Sequence, residues 1–206
     1  MPRPKTLLEM AGAAGLPVYW EKSVLLLIDH QVEYTAEGGL PLVGIDAAVA
    51  EIGRLLAAAR ANGTPVIHIQ HHGRPGGALF DPTGPRAQFI SQVRPLDGET
   101  MIAKALPNAF TRTGLDEALR ATGRSELIVA GFQTHMCVSA TVRSALDHGY
   151  RSTVIAEACA TRDLPDALGT GVMAAADLHR ASLTALADRF AGILANTSSI
   201  AGRAAA

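Results

Sequence analysis

The chain has 206 residues, 48% hydrophobic and 18% charged, with 18 basic against 19 acidic side chains. That length buries roughly 70% of the unfolded surface in a single core, and the apolar content excludes a disordered chain. The balanced charge argues against a nucleic-acid or membrane-surface protein, since both use a positive excess.

Residues 1–22 carry Pro2, Pro4, Gly12, Gly15 and Pro17 and read as an irregular arm with at most one short helix. No continuous apolar stretch follows Arg3 and Lys5, so no secretory signal is expected. Val24–Asp29 is the first strand, and its apolar run is too short to span a bilayer. Asp46 is placed to cap a helix over Ala47–Ala61, with Ile52, Leu55 and Leu56 on one stripe and Asn62-Gly63 at its end. A second strand, Pro65–Gln70, leads into the Gly/Pro-rich stretch Gly73–Pro85. That stretch is too long for a turn and reads as a lid or binding loop, or as an exposed excursion.

The third strand is Glu99–Ala103, and a short helix over Leu115–Ala121 stops at Gly123. Strand Glu126–Ala130 precedes a helix over Cys137–His148 that Gly149 closes. Strand Thr153–Glu157, one or two helices within Pro165–Phe190, and strand Gly192–Asn196 follow, and Ala201–Ala206 is expected to fray. The strands are apolar without polar alternation, as parallel strands covered on both faces should be. Strands alternating with helices predict an α/β fold. The expected form is a three-layer α/β/α sandwich on a six-stranded, mainly parallel sheet, Rossmann-like, in the order 3-2-1-4-5-6. Residues 23–200 form its single domain.

In such sheets ligands bind past the carboxyl ends of the strands, where strand order reverses. Strand one ends in Asp29, where partial desolvation makes a carboxylate a usable proton acceptor; a loop cap is the competing role. Cys137 falls in the first turn of the helix after strand four. There unpaired N–H groups and the positive dipole end favour a thiolate and can bind an oxyanion. Lys104, after strand three, either snorkels at the surface or reaches the crevice and lowers the thiol pKa. Cys159 has no comparable helix start and reads as a packed core residue. Two cysteines are no disulfide framework, so both are read as reduced thiols in a cytoplasmic protein. No G-x-G-x-x-G follows strand one, and no nucleotide or other cofactor is expected.

The segment Gly131-Phe132-Gln133-Thr134-His135-Met136-Cys137-Val138-Ser139-Ala140-Thr141-Val142-Arg143-Ser144-Ala145, with Gly149-Tyr150 after it, resembles the nucleophile segment of the isochorismatase-like cysteine hydrolase superfamily. Supporting matches are Asp29 with Gln31 and Tyr34, Lys104 with Asn108-Ala109-Phe110, Glu157-Ala158-Cys159-Ala160 with Arg162-Asp163, and His179-Arg180-Ala181-Ser182-Leu183. The resemblance implies a triad of Asp29, Lys104 and Cys137. It also implies a cis peptide before Gln133, and an oxyanion hole from the Gln133 and Cys137 N–H groups. The expected activity is hydrolysis of a C–N bond in a small amide, imide or ureido substrate through a thioester. Dimers or tetramers are expected as well.

Gln31, Tyr34, His71, Phe80, Phe110 and His135 are the candidate substrate-binding residues. Arg162 holds either a substrate carboxylate or an ion pair with Asp163, and Tyr19 and Trp20 read as core or interface packing. No metal is expected. Metal-dependent relatives carry Asp-x-His where this chain has Gln70-His71-His72, and Gln70 is a poor substitute for an anionic ligand. Two competing readings stay open: a vinyl-ether hydrolase with Asp29 as acid, and a non-catalytic small-molecule-binding module on the same scaffold.

Overall fold

Uninterrupted apolar runs become the strands of one parallel sheet in this computed structural model, which describes residues 3–201. The strands are β1 (Ser23–Ile28), β2 (Val66–His71), β3 (Thr100–Lys104), β4 (Glu126–Phe132), β5 (Arg151–Ala160) and, last in the chain, β8 (Ala191–Leu194). Their order is β3-β2-β1-β4-β5-β8, all parallel, which is the expected topology with the last strand renumbered. The renumbering arises from a small antiparallel pair, β6 (Leu164–Pro165) and β7 (Val172–Met173), which Pro165 and the adjoining glycines hide from a reading of apolar runs. β5 is longer than its apolar stretch because Arg151 and Ser152 keep pairing with β4 despite their polarity.

Among the described residues, five α-helices complete the layers: α1 (Leu7–Met10), α2 (Ile45–Ala61), α3 (Leu115–Ala121), α4 (Ser139–Asp147) and α5 (Ala175–Arg189). β1 is buried along its whole length, and its side chains alternate between two cores. Leu25 and Leu27 meet Ile52, Leu55 and Leu56 of α2 on one face. Val24, Leu26 and Ile28 meet Leu115 and Leu119 of α3, Val142 and Ala145 of α4, and Leu183 and Leu186 of α5 on the other. Each such leucine contributes about 1.5–3 kcal/mol by leaving water.

α2 begins two residues before its expected start. Its N-cap is Gly44, which has a left-handed φ of 73° and offers no side-chain cap. Asp46 therefore sits inside the first turn rather than capping it, where its charge still complements the helix dipole.

One glycine shapes the centre of the sheet. Gly131 has φ 118°, and a Cβ there would stand 2.0 Å from the Ile28 carbonyl oxygen, so no other residue fits. The register between β4 and β5 shifts between Val129 and Gly131, which lets the end of β4 lie against the end of β1.

The arm is tied down at several points. Leu7 N–H donates to Asp188 Oδ1 at 2.9 Å, and Trp20 is buried in the α2-side core. Tyr19 pairs in parallel with Ala201, whose N–H donates to the Val18 carbonyl at 3.0 Å. Ala201 is thus paired rather than frayed, and the rest of the expected tail, residues 202–206, lies outside the described residues. No helix among the described residues is long and apolar enough to cross a membrane.

Candidate active site

Three strand ends deliver the chemistry. Asp29 follows β1 directly and has φ 53°, a left-handed conformation that aspartate tolerates better than most side chains. Lys104 closes β3 and is in register with His71 at the end of β2. β4 runs through a cis peptide between Phe132 and Gln133 into a π-helical turn, Thr134–Val138, and then into α4. Cys137 therefore sits in that π turn rather than in the first turn of an α-helix.

The three side chains converge. Lys104 Nζ lies 2.7 Å from Asp29 Oδ2 and 3.3 Å from Cys137 Sγ. Asp29 is 0% exposed, and Lys104 and Cys137 are each 3% exposed. Lys104 thus reaches the crevice rather than snorkelling. Asp29 Oδ1 has no hydrogen-bond partner among the described residues.

Electrostatics depart from the expected thiolate. Burial pushes the Cys137 thiol up to about 12, the facing Asp29 carboxylate adds to that, and Lys104 offsets only part of it. The helix-start effect is outweighed by desolvation, so the resting sulfur carries its proton. Burial likewise raises the Asp29 carboxyl, against the pull of Lys104 and Cys137. A carboxylate raised in this way is a better proton acceptor than one in water.

The remaining candidates divide. His71 Nδ1 lies 3.1 Å from Lys104 Nζ, and its ring packs edge-on against Phe80 at 4.9 Å. Phe80 also packs against Tyr34 at 5.2 Å, and Tyr34 against Phe132. Burial holds the Tyr34 hydroxyl well above its usual range, and the charges of Asp29 and Cys137 add to this, so the phenol belongs to the same cluster. His135 Nδ1 is 2.7 Å from Thr161 Oγ1, at the rim beyond β5.

Two candidates are not placed as expected. Gln31 is fully buried, and its amide is spent on backbone. Nε2 donates to the His71 and Ala87 carbonyls, and Oε1 accepts the His71 N–H. It is a strut: both amide N–H donors and one of the two Oε1 lone pairs are spent on backbone. Phe110 stacks on His148 at 4.3 Å and on Tyr150 at 6.1 Å. His148 lies at the far end of α4, roughly 15 Å along the helix from Cys137. The neighbouring Ala109 donates its N–H to Thr141 Oγ1 at 3.0 Å, one turn from Cys137, and Phe110 and Cys137 belong to the same core cluster.

Arg162 is not paired with the Asp163 carboxylate, which caps α5 by accepting the Ala175 N–H at 2.8 Å. Its Nε is buried without a partner among the described residues, and its charge is felt by both His135 and Tyr34. The histidines of β2 do not form one ligand set. His68 contacts His30 and Glu99, His71 contacts Lys104, and His72 contacts Gln70.

Sequence reasoning misses Glu33. Its buried carboxylate accepts the N–H groups of Phe80 (2.8 Å) and Gly39 (2.6 Å) and stands 3.7 Å from Arg86. The loop after β2 is thereby pinned so that Phe80 reaches the cluster. The only signal is a lone acid between Val32 and Tyr34, which spacing cannot tell from a surface residue.

The isochorismatase domain family matches residues 23–198. The solved structure of an isochorismatase from Pseudomonas putida KT2440 superposes with a TM-score of 0.90 at 46% identity, covering 97% of this chain and 100% of that one. YddQ, an uncharacterized isochorismatase family protein of Bacillus subtilis, is 38% identical over 165 residues, 80% of this chain and 91% of its own. The maleamate amidohydrolase of Pseudomonas putida is 33% identical over 159 residues, 70% of this chain and 75% of its own.

Proposed function

We take as premise that this chain belongs to the isochorismatase family of hydrolases, and we propose that it is a cysteine hydrolase cleaving a C–N bond of a small amide, imide or ureido compound. One observation carries the reading: a buried ammonium lies within 2.7 Å of a carboxylate and 3.3 Å of a thiol.

Asp29 takes the Cys137 proton as the sulfur attacks the substrate carbonyl carbon. The ammonium of Lys104 holds the developing thiolate, and the raised thiol pKa means that charge appears on sulfur only during attack. The Gln133 and Cys137 N–H groups donate hydrogen bonds to the oxyanion of the tetrahedral intermediate. As the C–N bond breaks, Asp29 returns its proton to the departing nitrogen, which leaves as an amine or ammonia. Water then attacks the thioester and loses a proton to Asp29. The C–S bond breaks, the acid departs, and the sulfur recovers its proton.

Arg162, with its buried and unpartnered Nε, supports a substrate that carries a carboxylate besides the scissile amide. The amidohydrolase relative named for maleamate points to the same class. Two free cysteines are consistent with a reducing, cytoplasmic compartment.

The test is a panel of primary amides with and without a second carboxylate. Cys137→Ala should lose at least about 10³-fold in kcat, and Arg162→Met should raise KM for the anionic amides only. The raised Asp29 carboxyl favours one second reading, acid cleavage of a vinyl ether. There Cys137→Ala would be nearly silent and Asp29→Asn inactive, and that outcome would replace the thioester route.

A further inference from the structure

An ammonium has three N–H donors and accepts nothing. Three acceptors surround Lys104 Nζ: Asp29 Oδ2 at 2.7 Å, His71 Nδ1 at 3.1 Å and Cys137 Sγ at 3.3 Å. The first and third belong to the reaction proposed above, and the second takes no part in it. Because the ammonium only donates, Nδ1 of His71 must present its lone pair, and the ring proton sits on Nε2. The ring stays neutral: burial, then the Lys104 charge, then His72 hold it down to about 4.

His71 is itself fixed. Gln31 accepts its N–H (2.8 Å) and donates to its carbonyl (2.9 Å). The Gln31 backbone N–H donates to the Asp29 carbonyl at 2.9 Å. One buried glutamine therefore grips the residue that bears the catalytic carboxylate and the residue that grips the ammonium. β2 stands between β1 and β3, so Lys104 must cross its end to reach Asp29, and His71 is the side chain it crosses.

We propose that Gln31 and His71 are positioning residues forming a yoke that fixes the Lys104 ammonium relative to Asp29 and Cys137. The proposal rests on the Asp29–Lys104–Cys137 reading.

The test compares His71→Asn with His71→Ala. Asparagine Oδ1 stands close to where Nδ1 does, so it keeps an acceptor for the ammonium, whereas alanine removes it. Both variants lose the ring contact with Phe80, so the difference between them reads the acceptor alone. The alanine variant should lose about 10- to 100-fold in kcat with KM nearly unchanged, and the asparagine variant should recover most of that loss. His71→Leu replaces alanine if the latter does not fold.

A readout without substrate is the pH dependence of Cys137 alkylation by iodoacetamide. The charged or titratable groups facing the thiol are Asp29, Lys104 and Tyr34. Releasing the ammonium should move the alkylation profile up by about one pH unit in His71→Ala, a tenfold loss of thiolate, and leave it in place in His71→Asn. Equal behaviour of the two variants in both assays would reduce His71 to packing and overturn the yoke. A shifted alkylation profile in a protein that hydrolyses no amide would instead refute the proposed reaction and leave the yoke standing.

Discussion

The Asp29–Lys104 pair is a buried ion pair, and such pairs are sensitive to the loss of one partner. Each charge has left water, and the geometry that compensates it is the other charge at 2.7 Å. Asp29→Asn leaves a buried ammonium without its counter-charge, among neutral acceptors only: the asparagine Oδ1, the thiol and His71. It should cost about 3–5 kcal/mol in urea unfolding. Adding Lys104→Met removes the stranded charge, and the double variant should regain most of that loss while staying inactive. An Asp29→Asn protein as stable as the parent would mean that the carboxylate and ammonium are not coupled as described. The same pair sets the chemistry. In the proposed reaction Asp29 is the base, and burial raises its carboxyl against the pull of Lys104 and Cys137, which favours taking up the thiol proton.

At the scale of elements, the π turn and the loop after β2 do separate jobs. The turn hands over from β4 to α4 and sets Cys137 beside Lys104 of β3. The loop brings Phe80 onto His71 and Tyr34, and Glu33 pins it through the Phe80 N–H and Arg86 while also accepting the Gly39 N–H of the loop after β1. Glu33→Ala leaves both donors without their acceptor, which loosens the loop without touching the triad. Limited proteolysis between Gly73 and Pro85 should speed up, and KM should rise several-fold while kcat changes little. A loop as protease-resistant as the parent's would show that Phe80 packing, not Glu33, holds it.

At the scale of the molecule, burial of histidine ties stability to pH. His30, His68, His71, His135 and His179 all have their pKa lowered, with burial the leading cause in each. A base whose folded pKa lies below its unfolded value adds stability above about pH 6.5 and loses it as pH falls toward the folded value. Glu99 acts in a lower window. Burial raises it, but Arg60, the Leu96 N–H and His68 outweigh burial and hold it at about 2, so its contribution is full above about pH 4.5 and fades toward 2. The urea midpoint should therefore fall in two stages on acidification, first below pH 6.5 and again below pH 4.5. Glu99→Gln should shrink the second stage, to which Glu9, Glu51, Asp81 and Asp116, also lowered, still contribute. A midpoint constant from pH 7 to 5 would contradict the burial of these rings.

Across the whole chain, what the sequence determined by itself was local or periodic. Apolar runs without alternation gave away parallel strands covered on both faces, and the helix between Asp46 and Asn62 followed from its stripe. Asp29 and Cys137 stood out as candidates at strand ends, whereas Lys104 joined them only through the family resemblance, because spacing left it either snorkelling or reaching the crevice. Only the tertiary structure decided what those side chains feel and whom they touch. Desolvation depends on every neighbour at once, so the raised Cys137 thiol was invisible to an argument from its helix start. Gln31 and His71 are forty residues apart, and no spacing rule shows a side chain spent on another strand's backbone. Phe110 is similar: its ring stacks on His148, a contact that no spacing rule shows.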